Sequence, residues 1–173
     1  MQALVVYESL WGNTAAIAYA IAEGLGADVM VAHTGQIDPM EAAAVGLLVV
    51  GAPVHAFSLP TASTKASVAS RTLAPGDVAP DLDQPPVRDW LSRIPSGTGI
   101  AAAFDTRVRG PLGRGGASRI EKLLTTKGFR VVRDSQGFLI SNEKNPKHEG
   151  SMLRAGEIDR ARAWGAKLAT LAS

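Results

Sequence analysis

Val5-Val6-Tyr7-Glu8-Ser9-Leu10-Trp11-Gly12-Asn13-Thr14 passes from an apolar run directly into a helical pattern. The residues Ala3–Tyr7 read as a buried strand and Thr14–Leu25 as a helix, with Ile17, Ile21 and Leu25 recurring at i, i+4 and i+8. Ala18 and Ala22 fill beside them, and Gly24 and Gly26 mark the end. A tight loop between such a strand and helix aims backbone N–H groups and the positive end of the helix dipole at one spot, which suits a phosphate. Ser9, Asn13 and Thr14 add side-chain donors, while the loop holds no Lys or Arg. On spacing alone an ordinary turn, with Asn13 or Thr14 capping the helix, explains the same residues equally well.

The alternation continues along the chain. Asp28–Ala32 reads as a second strand, and Asp38-Pro39-Met40-Glu41 as a helix start with Asp as cap, Pro first and Glu reaching back. Gly46–Val50 is a third strand, apolar on both faces as the middle of a parallel sheet demands. Ser58–Pro86 is an irregular excursion with a helical turn or two around Thr64–Arg71. Val87–Ile94 reads as a helix, Ile100–Phe104 as a fourth strand, and Ser118–Lys127 as a helix opened by the capping box Ser118-Arg119-Ile120-Glu121. Phe129–Arg133 and Gly137–Ile140 form a fifth strand interrupted by Asp134-Ser135-Gln136. The last helix, Glu157–Leu171, aligns Ile158, Ala161, Gly165 and Leu168 on one face.

Five strands with intervening helices imply an α/β doubly wound parallel sheet, helices on both faces, in a single domain over residues 1–173. Ligands of such sheets sit beyond the carboxyl ends of the strands. That rule selects Glu8–Thr14, Gly51–Ser58 and Asp105–Gly116.

Composition narrows the chemistry. The 173 residues are 46% hydrophobic, 20% charged and only 5% aromatic, so Ala, Val, Leu and Ile must fill the interior. There is no cysteine, which removes disulfides, thiolate catalysis and Cys-ligated metal. His33, His55 and His148 lie too far apart to suggest a metal site. The formal charge of +2 comes from scattered Lys and Arg, which argues against nucleic-acid binding. No basic leader precedes Ala3, and the longest apolar stretch, Ala42–Val54, falls short of the ~20 residues that span a bilayer. A cytoplasmic protein without a membrane span is expected.

The first segment resembles the flavodoxin signature. Val5, Val6, Tyr7, Ser9, Gly12, Thr14, Ala18 and Ile21 meet its positions, and the strand–helix order extends the likeness over the chain. The resemblance implies a sheet of order 2-1-3-4-5 and bound flavin mononucleotide (FMN), with the phosphate on Ser9, Leu10, Trp11, Gly12, Asn13 and Thr14. Trp11 stands where many flavodoxins have Thr, which removes a hydroxyl but not the backbone donors. The loop after the third strand, with Pro53, Val54, His55, Ala56 and Phe57, resembles the one that flanks the flavin ring; His55 and Phe57 stand where flavodoxins often carry Trp or Tyr. Asp105, Thr106 and Arg107 match the third flavin loop in position but not in letters, and an Arg107 near the pyrimidine edge would favour the reduced anionic ring.

By resemblance the protein carries electrons to or from a redox partner protein or a small-molecule acceptor. Two alternatives stay open: a flavin-dependent quinone or small-molecule reductase, with Ser58–Pro86 covering the ring or shaping a substrate pocket, and a binding module without cofactor. Many flavodoxin carriers are acidic, so a charge of +2 leaves the partner open. Other motifs fail on context. Gly97-Thr98-Gly99-Ile100-Ala101-Ala102 precedes a strand instead of following one, and Gly110–Gly116 lacks the Lys of a nucleotide-binding loop. A phospho-receiver needs an Asp where the third strand ends in Ala52-Pro53. Trp90 and Trp164 read as packing residues. No side chain is expected to act as nucleophile or general base, because the flavin would supply the electron chemistry.

Overall fold

The computed structural model describes residues 2–26, 28–54, 59–110, 115–132, 134–143 and 145–172. The apolar runs pair as a parallel sheet of β1 (Ala3–Tyr7), β2 (Val29–His33), β3 (Leu47–Pro53), β4 (Ile100–Val108), β5 (Arg130–Val131) and β6 (Gln136–Ile140). The order is β2-β1-β3-β4-β5, as the resemblance implies, and β6 also pairs with β4. β5 lies beside Ile100 and Ala101, and β6 beside the stretch from Phe104 to Val108. The two are halves of one interrupted fifth strand. β1 and β3 are buried on both faces along nearly their whole length, which explains their unbroken apolar sequences.

The helices are α1 (Asn13–Leu25), α2 (Pro39–Ala42), α3 (Ala62–Ala69), α4 (Val87–Arg93), α5 (Gly116–Thr126) and α6 (Glu157–Ala172). Asp38 caps α2 as expected, its Oδ1 accepting from the Met40 amide at 2.8 Å. α3 is the helical part of the excursion and starts on Thr61, whose side chain accepts from the Thr64 amide while Thr64 Oγ1 accepts from that of Thr61.

Three readings need correction. β3 does not end at Val50: Gly51, Ala52 and Pro53 continue the strand beside Phe104, Asp105 and Thr106. β4 does not end at Phe104 but runs to Val108, because Asp105 and Thr106 find partners inside the protein and stay buried. α5 begins at Gly116, so Ser118 lies inside its first turn and is not the cap. The capping acceptor is Asp105 Oδ2, 2.9 Å from the Ala117 amide and supplied from β4. A local motif lost to a long-range one.

Apolar side chains cover both faces of the sheet. On one, α1 and α6 pack over Val5, Val49, Phe104 and Phe138. Phe104, Phe138 and Trp164 meet edge-on or tilted at 6.1 to 6.5 Å between ring centroids. The two helices touch closely: a Cβ on Gly24 would stand 1.9 Å from the Arg162 carbonyl oxygen, and one on Gly165 2.1 Å from that of Ile21. The other face is covered by α4 and α5, with Trp90 fully buried and its Nε1 donating to the Ile37 carbonyl at 3.0 Å. Among the described residues no helix is long and apolar enough to cross a membrane.

Candidate functional site

The carboxyl ends of β1, β3, β4 and β6 converge on one small cavity. Beyond β1 the Glu8 amide still donates to the Gly51 carbonyl at 3.0 Å, which keeps the chain on the sheet for one more residue. Gly12 then turns it into α1 at φ 77, a left-handed conformation suited to glycine. No N-cap side chain closes α1, so the dipole of its first turn is exposed to the loop. Ser9 Oγ is buried without a hydrogen-bond partner among the described residues. Thr14 Oγ1 and Thr106 Oγ1 bond to each other at 2.8 Å, joining the loop to β4.

These groups line a cavity of about 50 Å³ together with Leu10, Trp11, Asn13, Pro53, Val54 and Ile140. The structure thus gathers Ser9, Leu10, Trp11, Asn13, Thr14, Pro53, Val54 and Thr106 from three separate sequence segments. Gly12 makes the turn, and Ile140 is an addition that the sequence did not suggest. Asp105 and Arg107 lie outside this lining. His55, Ala56 and Phe57 lie outside the described residues.

Two irregular segments hold the loop from either side. From the excursion, Gln84 Oε1 accepts from the Ser9 amide at 2.8 Å and the Asp81 amide donates to the Leu10 carbonyl at 2.8 Å. The Arg71 guanidinium lies over the Trp11 ring, 5.4 Å from its centroid. From residues 141–156, the Gly150 amide donates to the Trp11 carbonyl at 3.0 Å and the Met152 amide to Asn13 Oδ1 at 3.2 Å. A Cβ on Gly12 would stand 2.6 Å from Cβ of Glu149, so this strap lies directly against the turn. The two segments also meet each other, through Val78 N–H to the Pro146 carbonyl at 3.0 Å and Lys147 Nζ to Asp77 Oδ1 at 2.6 Å. Sequence reasoning gave residues 141–156 no role. Gly150 and Gly156, both at positive φ, were the available signal.

The third predicted segment is built differently. Asp105 is fully buried and takes the Ala117 amide on Oδ2, while Arg107 Nε stands 3.3 Å from its Oδ1. Burial pushes its carboxyl up to about 6, against the lowering pull of the Ala117 amide, the Arg107 charge and the Gly116 amide. The Arg107 guanidinium fills the space above Gly137, where a Cβ would stand 1.8 Å from Nη2.

Solved structures share this architecture. A flavodoxin from the domain Archaea is 19% identical, with 99% of each chain covered and a TM-score of 0.66. Flavodoxin 2 from Bacillus cereus is 17% identical over 99% of each chain, with a TM-score of 0.67. The flavodiiron protein from Giardia intestinalis is 16% identical; the match covers 99% of this chain but 36% of that one, with a TM-score of 0.57. No protein-family model matches the sequence, and no curated protein matches it either. The fold is flavodoxin-like.

Proposed function

We propose that the protein binds FMN with its phosphate on the loop from Ser9 to Thr14 and exchanges electrons with a redox partner. The observation that carries the reading is the buried, unpartnered Ser9 hydroxyl in a cavity at the uncapped start of α1. A buried hydroxyl without a partner is costly, and an anion held there would accept a hydrogen bond from it. At about 50 Å³ the cavity exceeds the ~10–15 Å³ that admits one water molecule, so it has room for a polar group. The donor set therefore fits a phosphate: Ser9, Thr14, the Asn13 side chain and the first-turn amides of α1 would hold it.

When bound, FMN supplies the electron-transfer chemistry, and the protein supplies position and electrostatics. Pro53, Val54 and Thr106 line the cavity from the ends of β3 and β4, and His55, Ala56 and Phe57, which follow β3 in sequence, are assigned with Asp105 and Arg107 to the ring side. The excursion's bonds to Ser9 and Leu10, at the phosphate end, favour a carrier over a reductase. We read the chain as one domain in this role.

The test is optical. Titration of the purified protein with FMN should give a perturbed visible flavin spectrum and quenched fluorescence at one flavin per chain. An unperturbed spectrum at saturating FMN contradicts the proposal. With flavin bound, slow steady-state NADH oxidation with quinones fits a carrier, whereas rapid multiple turnover would favour the reductase.

A further inference from the structure

Directly behind the anion loop sits a polar cluster that a flavodoxin-like signature does not specify. Glu8 is fully buried, Lys65 is 7% exposed and Gln84 is 6% exposed. Lys65 Nζ stands 3.2 Å from Glu8 Oε1 and also donates to the Gln84 backbone carbonyl. The other Glu8 oxygen, Oε2, accepts from the Val87 amide at 2.8 Å, at the start of α4. The side chain of Gln84 is bonded at both ends: Oε1 accepts from the Ser9 amide at 2.8 Å, and Nε2 donates to Asp81 Oδ2 at 2.7 Å.

We infer that Lys65, Glu8 and Gln84 are positioning residues that hold Ser9 in place for the phosphate. The reasoning follows the bonds outward. Glu8 is fixed by its amide bond to the Gly51 carbonyl and by the start of α4, so it is a rigid anchor for the Lys65 ammonium. That ammonium ties down the backbone of Gln84, which has no sheet or helix to hold it. Gln84 in turn pins the amide of the residue whose hydroxyl faces the cavity. Taking two charges out of water is a poor route to stability, since well-packed apolar residues in place of a buried pair are often as stable or more so. Burial pushes the Glu8 carboxyl above its ordinary range, which marks that cost. A buried pair retained beside an anion site is better explained by the geometry it imposes. A loop fixed before binding loses less freedom when the ligand arrives.

The inference rests on the FMN reading, but one arm of its test does not. In the ligand-free protein, amide hydrogen exchange at Ser9 should quicken at least tenfold in Gln84→Met, while amides in α6 exchange as in the parent. Gln84→Met breaks no ion pair and leaves the Gln84 carbonyl for Lys65, so it should fold. The double variant Glu8→Gln, Lys65→Met replaces both charges by neutral side chains of similar size and should quicken Ser9 in the same way. The second arm compares FMN with riboflavin, which lacks the phosphate. Both variants should lower the FMN-to-riboflavin affinity ratio about tenfold, whereas a purely structural role would weaken both flavins alike. Unchanged Ser9 exchange overturns the inference whether or not flavin binds. Faster exchange with an unchanged ratio also overturns it. If the parent binds no FMN, the reading above fails, and the exchange arm alone decides this one.

Discussion

α1 and α5 both begin at the carboxyl edge of the sheet, and they satisfy their N-terminal dipoles in different ways. α1 starts at a glycine turn without a capping side chain, beside a cavity and an unpartnered serine hydroxyl. α5 starts against the buried carboxylate of Asp105, which takes the Ala117 amide and pairs with Arg107. An anion is favourable at either helix start. At α5 the protein has installed its own, and at α1 no N-cap side chain among the described residues takes that place. On the proposed reading, the difference would let a chain with no cation in its first loop hold a phosphate there, and the second helix start would not compete for it.

The largest expected effect breaks the α1 side. Ser9→Ala combined with Thr14→Ala removes two hydrogen bonds to a charged group, each worth ~1.5–3 kcal/mol. FMN affinity should fall roughly 10²- to 10⁴-fold by titration, and equal affinity would mean the phosphate sits elsewhere.

The next effect isolates the α5 side. The folded-state value of Asp105, about 6, lies above the ordinary 3.8. Between roughly pH 4 and 6 the native protein therefore holds a proton that the unfolded chain has released. This contribution to stability is fully present below that window and is lost as pH rises through it, by up to ~3 kcal/mol. Urea denaturation across the window should show the loss in the parent and a flatter profile in Asp105→Asn. The same slope in both would remove Asp105 as its source.

A smaller effect sharpens the contrast at the turn. Gly12→Ala must hold a left-handed backbone, at ~1–2 kcal/mol, and must push Glu149 and the strap away from α1. Lower stability of about that size should accompany weaker FMN binding. Unchanged binding would show that the strap does not matter to the site.

The α1 side of this comparison was legible in the sequence and the α5 side was not, for physical reasons. The apolar run up to Tyr7, the glycine turn at Gly12 and the helical spacing after Thr14 are local patterns, so strand, loop and helix could be read from a short window. The split fifth strand was readable too, because polar residues interrupt an apolar run on an edge. Asp105 caps a helix twelve residues downstream in sequence, and the nearer Ser118-to-Glu121 pattern looked the better cap. Glu8 meets Lys65 from α3, and the Gly12 turn meets Glu149 from the far end of the chain. No window of local sequence contains either pairing. A charged residue directly after a fully buried strand was the one sign that Glu8 had a distant partner.

The central claim is that the start of α1 is a phosphate site. The most direct measurement is the affinity of the parent protein for FMN against that for riboflavin, by fluorescence titration under one set of conditions. Two charge-assisted hydrogen bonds amount to at least ~3 kcal/mol, so FMN should bind at least about 100-fold more tightly. Equal affinities for the two flavins would contradict the claim.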